Sequence, residues 1–188
     1  AALRRSGARV GDRVCIAGAP GEAALGLAAV QAGRRDDPAF AHCIARLDRP
    51  EPQLALGQAL AGIASACIDV SDGLVADLGH VATASGAGVR LDLDAIPHPP
   101  FELGARLGLN PRAVVDLALG GGDDYLLAFT VDPARLPELR ERTVTLGLDL
   151  HEIGDVVPGT GVSVSTREGG DYAPARAGFN HFGNDDGE

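Results

Sequence analysis

The chain has 188 residues, of which 45% are hydrophobic, enough for one ordinary domain with a sizeable core. Its formal net charge of −10 disfavours nucleic acid and anionic lipid as partners, and no apolar run approaches the length of a membrane span. All 16 basic residues are arginine, which excludes a Walker-type phosphate loop and Schiff-base chemistry because both need a lysine.

Apolar periodicity predicts strands and helices that follow one another along the chain. The predicted strands cover residues 13–17, 67–70, 89–93, 125–131, 150–156 and 162–165. The predicted helices cover residues 22–31, 39–47, 54–64, 74 to about 86, 101–107, 111–119 and 133 to about 147. Some neighbouring strands have connections too short for parallel crossovers, so we expect an α+β fold, a mixed β-sheet packed with helices.

The run IDVSDGL at residues 68–74 places two carboxylates where a strand ends and a helix begins. Helix N-termini suit phosphate groups, and Mg²⁺ is usually held by one or two carboxylates together with phosphate oxygens and water. Asp69 and Asp72 are therefore candidate magnesium ligands, and Ser71 is a candidate donor to a phosphate oxygen. The alternative is a plain helix cap made by Ser71 or Asp72.

A second cluster, GGGDDY at residues 120–125, precedes a nearly all-apolar strand. Its glycines allow the backbone to approach a ligand closely, and two adjacent acids before a buried strand are costly unless they are exposed, paired or metal-bound. A flexible loop with a capping aspartate is the alternative. Elsewhere, Arg5 is suited to a bidentate contact with a phosphate group, and the alternative is a solvated arginine. Phe179 is suited to stacking on a flat ring, and the alternative is an aromatic residue of the core or of a lid.

The three cysteines, Cys15, Cys43 and Cys67, lack the spacing of a zinc site or a disulfide framework. We predict that they are small buried residues of a protein in the reducing cytoplasm. The domain is expected to cover residues 1–183, followed by a frayed acidic tail at residues 184–188.

Taken in order, these segments resemble the thiamine-monophosphate kinases. The stretches that carry the resemblance lie at residues 5–8, 11–12, 18–26, 68–74, 77–80, 121–125 and 178–182. They cover nearly the whole chain, but they match only the C-terminal domain of the family, so we expect the family's N-terminal ATP-binding domain to be absent from this sequence. The family belongs to a wider superfamily that includes aminoimidazole ribonucleotide synthetase and selenophosphate synthetase.

The resemblance implies a domain of the aminoimidazole ribonucleotide synthetase-like type. It implies ATP-dependent phosphorylation of thiamine monophosphate to thiamine diphosphate with Mg²⁺. The full-length protein is then expected to be a homodimer, and this chain alone is expected to be inactive. It assigns Asp69 and Asp72 to magnesium, Arg5 and Ser71 to ATP, and Asp123 and Phe179 to thiamine phosphate.

Three positions depart from the family pattern. Asp123 stands where glutamate is usual, which shortens the reach to substrate by one methylene, while Asn180 replaces an aspartate and Gln53 an arginine. Two other functions stay open: a superfamily enzyme that uses ATP on a different phosphate substrate, and a non-catalytic module that binds a ligand or stabilises a partner. The aromatic ending at residues 179–182 favours the thiamine branch.

Overall fold

The computed structural model describes residues 2–175, which fold around one six-stranded sheet. The strands are β1 (Arg13–Ala17), β2 (Ala64–Val70), β3 (Gly88–Asp92), β4 (Leu126–Val131), β5 (Leu150–Val157) and β6 (Val162–Ser165). Their spatial order is β2-β4-β1-β5-β3-β6. The β3–β6 pair is parallel and the other four pairs among these strands are antiparallel, which confirms the predicted mixed sheet.

The helices in the same part of the chain are α1 (Glu22–Gln31), α2 (Ala41–Asp48), α3 (Leu54–Leu60), α4 (Leu74–Ser85), α5 (Phe101–Ala105), α6 (Pro111–Gly120) and α7 (Leu136–Thr145). Short 3-10 turns at Pro38–Phe40 and Pro133–Arg135 lead into α2 and α7. Across residues 2–175, no helix combines the length and the apolar character that crossing a bilayer requires.

Helices cover both faces of the sheet, and this explains the apolar character of its central strands. Val14 and Ile16 of β1 pack into a core cluster with residues of α4 and α6. Cys15 and Ala17, which point the other way, pack into a second cluster with residues of α3 and α7. A strand buried on both faces carries apolar side chains at successive positions. For this reason β1 and β4 lack the alternation of apolar and polar residues that is typical of a strand with one solvent-exposed face.

Most predicted elements are confirmed to within about three residues at their ends, but the predicted helix over residues 54–64 is wrong at its end. Helix α3 stops at Leu60, and β2 begins at Ala64 rather than at residue 67. Gly62 has a φ of 77°, which breaks the helix, and Ala64 pairs with Val131 of β4 through an irregular register. The stabilisation from this long-range strand pairing therefore outweighs the helical preference of residues 61–64.

All three cysteines are buried and have free thiols, as predicted. Burial raises the pKa of the Cys15 and Cys67 thiols to about 12 and that of Cys43 to about 11. Since the thiolate is the reactive form, these cysteines act as packing residues at neutral pH.

Helices α1 and α2 pack closely at Gly26, where an added Cβ would lie 2.3 Å from the Cys43 carbonyl oxygen. We therefore expect Gly26→Ala to lower the free energy of unfolding by about 1–3 kcal/mol, because one helix must shift. Gly79→Ala in α4 is the matched control: its Cβ would meet nothing within 4 Å, so the helix should gain about 0.5–1 kcal/mol. Denaturant unfolding of both variants measures this, and equal effects would contradict the packing.

Candidate active site

The two acid-bearing turns predicted separately from the sequence lie against each other. The Asp123 N–H donates to the Ser71 carbonyl oxygen at 3.0 Å, and the Tyr125 N–H donates to the Val70 carbonyl oxygen at 2.9 Å. They meet because β2 and β4 are antiparallel neighbours, so the end of β2 lies beside the start of β4. The sheet therefore joins two segments that are about 50 residues apart in sequence.

Glycines permit this close approach of two backbones. A Cβ on Gly122 would lie 2.5 Å from the Ser71 carbonyl oxygen, and a Cβ on Gly73 would lie 3.0 Å from the backbone of Gly120. Gly73 also has a φ of 121°, which L side chains rarely adopt. The glycine-rich pattern thus serves contact between the two turns.

Asp77 organises the turn between β2 and α4. The N-cap position of α4 is Gly73, one or two residues after the predicted caps Asp72 and Ser71, and Gly73 has no side chain with which to cap the helix itself. The Asp77 carboxylate, only 3% exposed, instead accepts hydrogen bonds from the backbone N–H groups of Ser71 at 2.9 Å and Asp72 at 3.0 Å. A buried acid one turn into the helix therefore fixes the backbone of the predicted ligands.

The charge environment of Asp77 shows how close the acids are. Burial raises the pKa of the Asp77 carboxyl, and the two backbone N–H groups lower it. The negative charges of Asp72 and Asp69 raise this pKa further. The charges of two neighbouring carboxyl groups therefore act on Asp77 at the end of β2.

The predicted ligand-binding residues line two cavities. Arg5 and Asp69 are both exposed and line a cavity of about 690 Å³ beside α3 and the outer edge of β2. Ser71 and Asp123 line a smaller cavity of about 180 Å³ between α1 and the turn at residues 120–125. Asp72 is half-buried. The structure thus pairs Arg5 with Asp69 and Ser71 with Asp123.

Phe179 and Asn180 lie outside the described residues. Within residues 2–175, no three His, Cys, Asp or Glu side chains are grouped so that they could hold a metal ion. The oxygens of Asp69 and Asp72 alone would fit a Mg²⁺ ion that takes its remaining ligands from phosphate groups and water.

Asp124 is a residue of the site to which the sequence analysis gave no role of its own. Its side chain is 1% exposed, and its two carboxylate oxygens accept hydrogen bonds from the N–H groups of Gly21 at 2.5 Å and Ala23 at 3.0 Å. Arg46 of α2 donates to its backbone carbonyl at 3.2 Å. The sequence did carry one indication of this role, because adjacent acids before a buried strand must be exposed or paired. In the structure, Asp123 is exposed and Asp124 is paired.

Burial raises the pKa of the Asp124 carboxyl to about 6. The hydrogen bonds from Gly21 and Ala23 oppose this rise, while the charge of Glu22 adds to it and that of Arg46 lowers it. The carboxyl group is therefore mostly ionised above neutral pH, where it faces the positive end of the α1 dipole.

Comparison with known proteins places this chain in a family. Residues 9–167 match the family described as AIR synthase related protein, C-terminal domain. The curated thiamine-monophosphate kinase of Caulobacter vibrioides is 41% identical over 184 residues, which make up 95% of this chain and 50% of that protein. The chain thus spans about half the length of the curated relatives it matches.

Two solved structures are similar over most of the chain. The crystal structure of thiamine-monophosphate kinase from Stenotrophomonas maltophilia has a TM-score of 0.80 and 36% identity, and the match covers 90% of this chain and 54% of that one. AaThiL complexed with AMPPCP and TMP has a TM-score of 0.78 and 32% identity, and the match covers 96% and 54%. These matches confirm the resemblance stated from the motifs. The chain belongs to the AIR synthase related proteins and contains their C-terminal domain.

Proposed function

We propose that the chain is the C-terminal part of a kinase that transfers a phosphoryl group from ATP to thiamine monophosphate, giving thiamine diphosphate. The observation that carries this proposal is the hydrogen bond from the Asp123 N–H to the Ser71 carbonyl. It brings together the residues that the family resemblance assigns to thiamine phosphate and to ATP. A solved relative that holds AMPPCP and TMP supports the same pair of ligands.

The side chains at the two turns fit two phosphate-bearing substrates. Ser71 can donate its hydroxyl to a phosphate oxygen, and the exposed Arg5 guanidinium can bind a phosphate through two hydrogen bonds. Asp123, exposed at the mouth of the smaller cavity, can accept a hydrogen bond from the organic part of the acceptor, and Phe179 is proposed to contact the thiamine moiety. The acceptor phosphate is already anionic, so no general base is assigned, and positioning dominates the rate.

Asp69 and Asp72 are the residues of this chain that would hold Mg²⁺. When bound, Mg²⁺ supplies positive charge that neutralises phosphate oxygens and reduces the repulsion between two anionic substrates. Two carboxylates are a typical protein contribution to such a site, since Mg²⁺ retains water and phosphate ligands. Asp77 lies beneath them and keeps the turn in place through the N–H groups of Ser71 and Asp72.

The larger cavity is proposed to be the contact face for a preceding ATP-binding domain, with residues 1–183 forming the C-terminal domain. The Cys67 N–H donates to the Arg4 carbonyl at 2.7 Å, so the first residues run along the outer edge of β2 and into this cavity. Leu54, which also lines it, is 74% exposed. The relatives are about twice as long as this chain, which supports a second domain. The homodimer implied by the resemblance and the cytoplasmic location predicted from the cysteines belong to the same proposal.

Asp72→Asn in the full-length protein should lower the rate of thiamine diphosphate formation more than about 100-fold, because the variant loses a cation ligand worth several kcal/mol to the transition state. Asp36→Asn, an exposed acid in the loop after α1, is the matched control and should retain wild-type activity. The assay contains ATP, thiamine monophosphate and Mg²⁺. Full activity of Asp72→Asn would exclude the metal role, and a wild-type protein that phosphorylates only another substrate would exclude the thiamine assignment.

The 188-residue chain alone should show little or no turnover of ATP and thiamine monophosphate. The reason is that the described residues contribute two proposed metal ligands, Asp69 and Asp72, and one wall of the proposed nucleotide site. Steady-state assays at matched protein concentrations of this chain and of the full-length protein measure the difference. Comparable activity of the two would refute the need for a second domain.

If the preceding domain covers the larger cavity, Leu54→Glu should lower the unfolding free energy of the full-length protein by roughly 2 kcal/mol, because a leucine buried at the domain contact becomes a charge. Val144→Glu on α7 is the matched control, since Val144 is 75% exposed and lies outside this cavity. Denaturant unfolding of both variants tests the idea. A Leu54→Glu variant as stable as Val144→Glu would mean that this face stays open to solvent.

A further inference from the structure

The N-terminus of α1 is capped by a residue that is distant in sequence. The position before α1 is Gly21, with a φ of 89°, and it has no side chain with which to accept the free N–H groups of the first turn. The Asp124 carboxylate does so instead, from 101 and 103 residues away, by accepting from Ala23 and Gly21. Helix α1 and the loop that holds Asp124 are therefore joined by one side chain.

The same loop has an unfavourable backbone that needs support. Asp123 and Tyr125, on either side of Asp124, have φ values of 66° and 51°, in the left-handed region that residues with a Cβ seldom occupy. Both side chains are exposed whereas Asp124 points into the core. Such a conformation persists only where surrounding contacts fix it, and those contacts include the buried carboxylate of Asp124.

The smaller cavity has one wall on each side of this link. Ala23, Ala24 and Leu27 of α1 line one wall, and Gly122 and Asp123 of the loop line the other. We propose that Asp124 is a positioning residue of the substrate site, which holds these two walls together and so fixes Asp123 toward the acceptor. This inference rests on the proposed function for the identity of the acceptor, while the link itself is a property of the fold.

The charged groups around Asp124 are consistent with this role. Glu22 of α1 and Arg46 of α2 both act on its carboxyl. Burial raises the pKa of the Cys43 thiol in α2, and the charges of Glu22 and Asp124 add to this rise. Arg46 also donates to the Asp124 carbonyl, so α2 contacts the loop as well. A buried carboxylate at a helix N-terminus is stabilised by the helix dipole, and this favours the linked arrangement.

Asp12 provides a control that separates the general effect of losing a buried carboxylate from the specific role of Asp124. It is 5% exposed and accepts hydrogen bonds from the Arg9 N–H at 2.9 Å and the Ser65 hydroxyl at 2.5 Å. It lines neither of the two cavities at the turns. Asp12→Asn should therefore lower stability and leave substrate binding unchanged.

The experiment compares Asp124→Ala, Asp124→Asn and Asp12→Asn in the full-length protein, with KM and kcat for both substrates and with hydrogen exchange of the backbone amides. Asp124→Ala should raise KM for thiamine monophosphate about tenfold while KM for ATP changes less than about threefold. Asp124→Asn should give a KM for thiamine monophosphate between those of the wild type and Asp124→Ala, since its amide oxygen keeps one hydrogen-bond acceptor. The amides of Asp123 and Tyr125 should exchange faster in both Asp124 variants and remain protected in Asp12→Asn.

Should Asp124→Ala fail to fold, Arg46→Gln replaces it, because loss of the guanidinium removes a second support of the loop and should raise the same KM by a smaller factor. Unchanged KM values together with unchanged exchange at Asp123 and Tyr125 would overturn the inference. A wild-type protein without thiamine monophosphate turnover would instead refute the proposed function. In that case the exchange data alone decide, and unchanged exchange would reject the positioning role.

Discussion

The arrangement of the candidate site depends on the buried carboxylate of Asp124. A buried charge without partners costs several kcal/mol, so this side chain is tolerated only where donors surround it. Its donors are the first N–H groups of α1, which would otherwise lack acceptors themselves. Each partner therefore satisfies the other, and the fold cannot place the loop correctly without also placing α1.

The sheet supplies the second constraint. Because β2 and β4 are antiparallel neighbours, the residue that ends β2, Val70, faces the residue that opens β4, Leu126. The turns that follow and precede these residues must then share one edge of the sheet. Helices on both faces bury the central strands, and the two turns at the ends of β2 and β4 expose Asp69 and Asp123. The position of the site thus follows from topology.

Local patterns in the sequence were enough to predict the strands, most of the helices, the mixed sheet and the two acid-bearing turns. They failed where a distant group decides the outcome. The end of α3 was misplaced because Ala64 pairs with Val131, which is remote in sequence. The N-cap position of α4 is Gly73 rather than Ser71 or Asp72, and the N–H groups of these two residues are bound by Asp77. Asp124 received no separate role because its donors lie more than 100 residues away.

Residues at the end of β2 and in the turn after it line both cavities, and this bears on how the two proposed substrates would approach each other. Asp69 lines the larger cavity and Ser71 the smaller one, and the two residues are separated by about 7 Å of extended chain. Phosphate groups held in neighbouring cavities this close would repel each other strongly in a partly dehydrated site. Asp69 and Asp72, the residues proposed to hold Mg²⁺, lie at this turn, and a cation bound there would reduce that repulsion. An acidic turn between two phosphate sites is thus consistent with the proposed kinase.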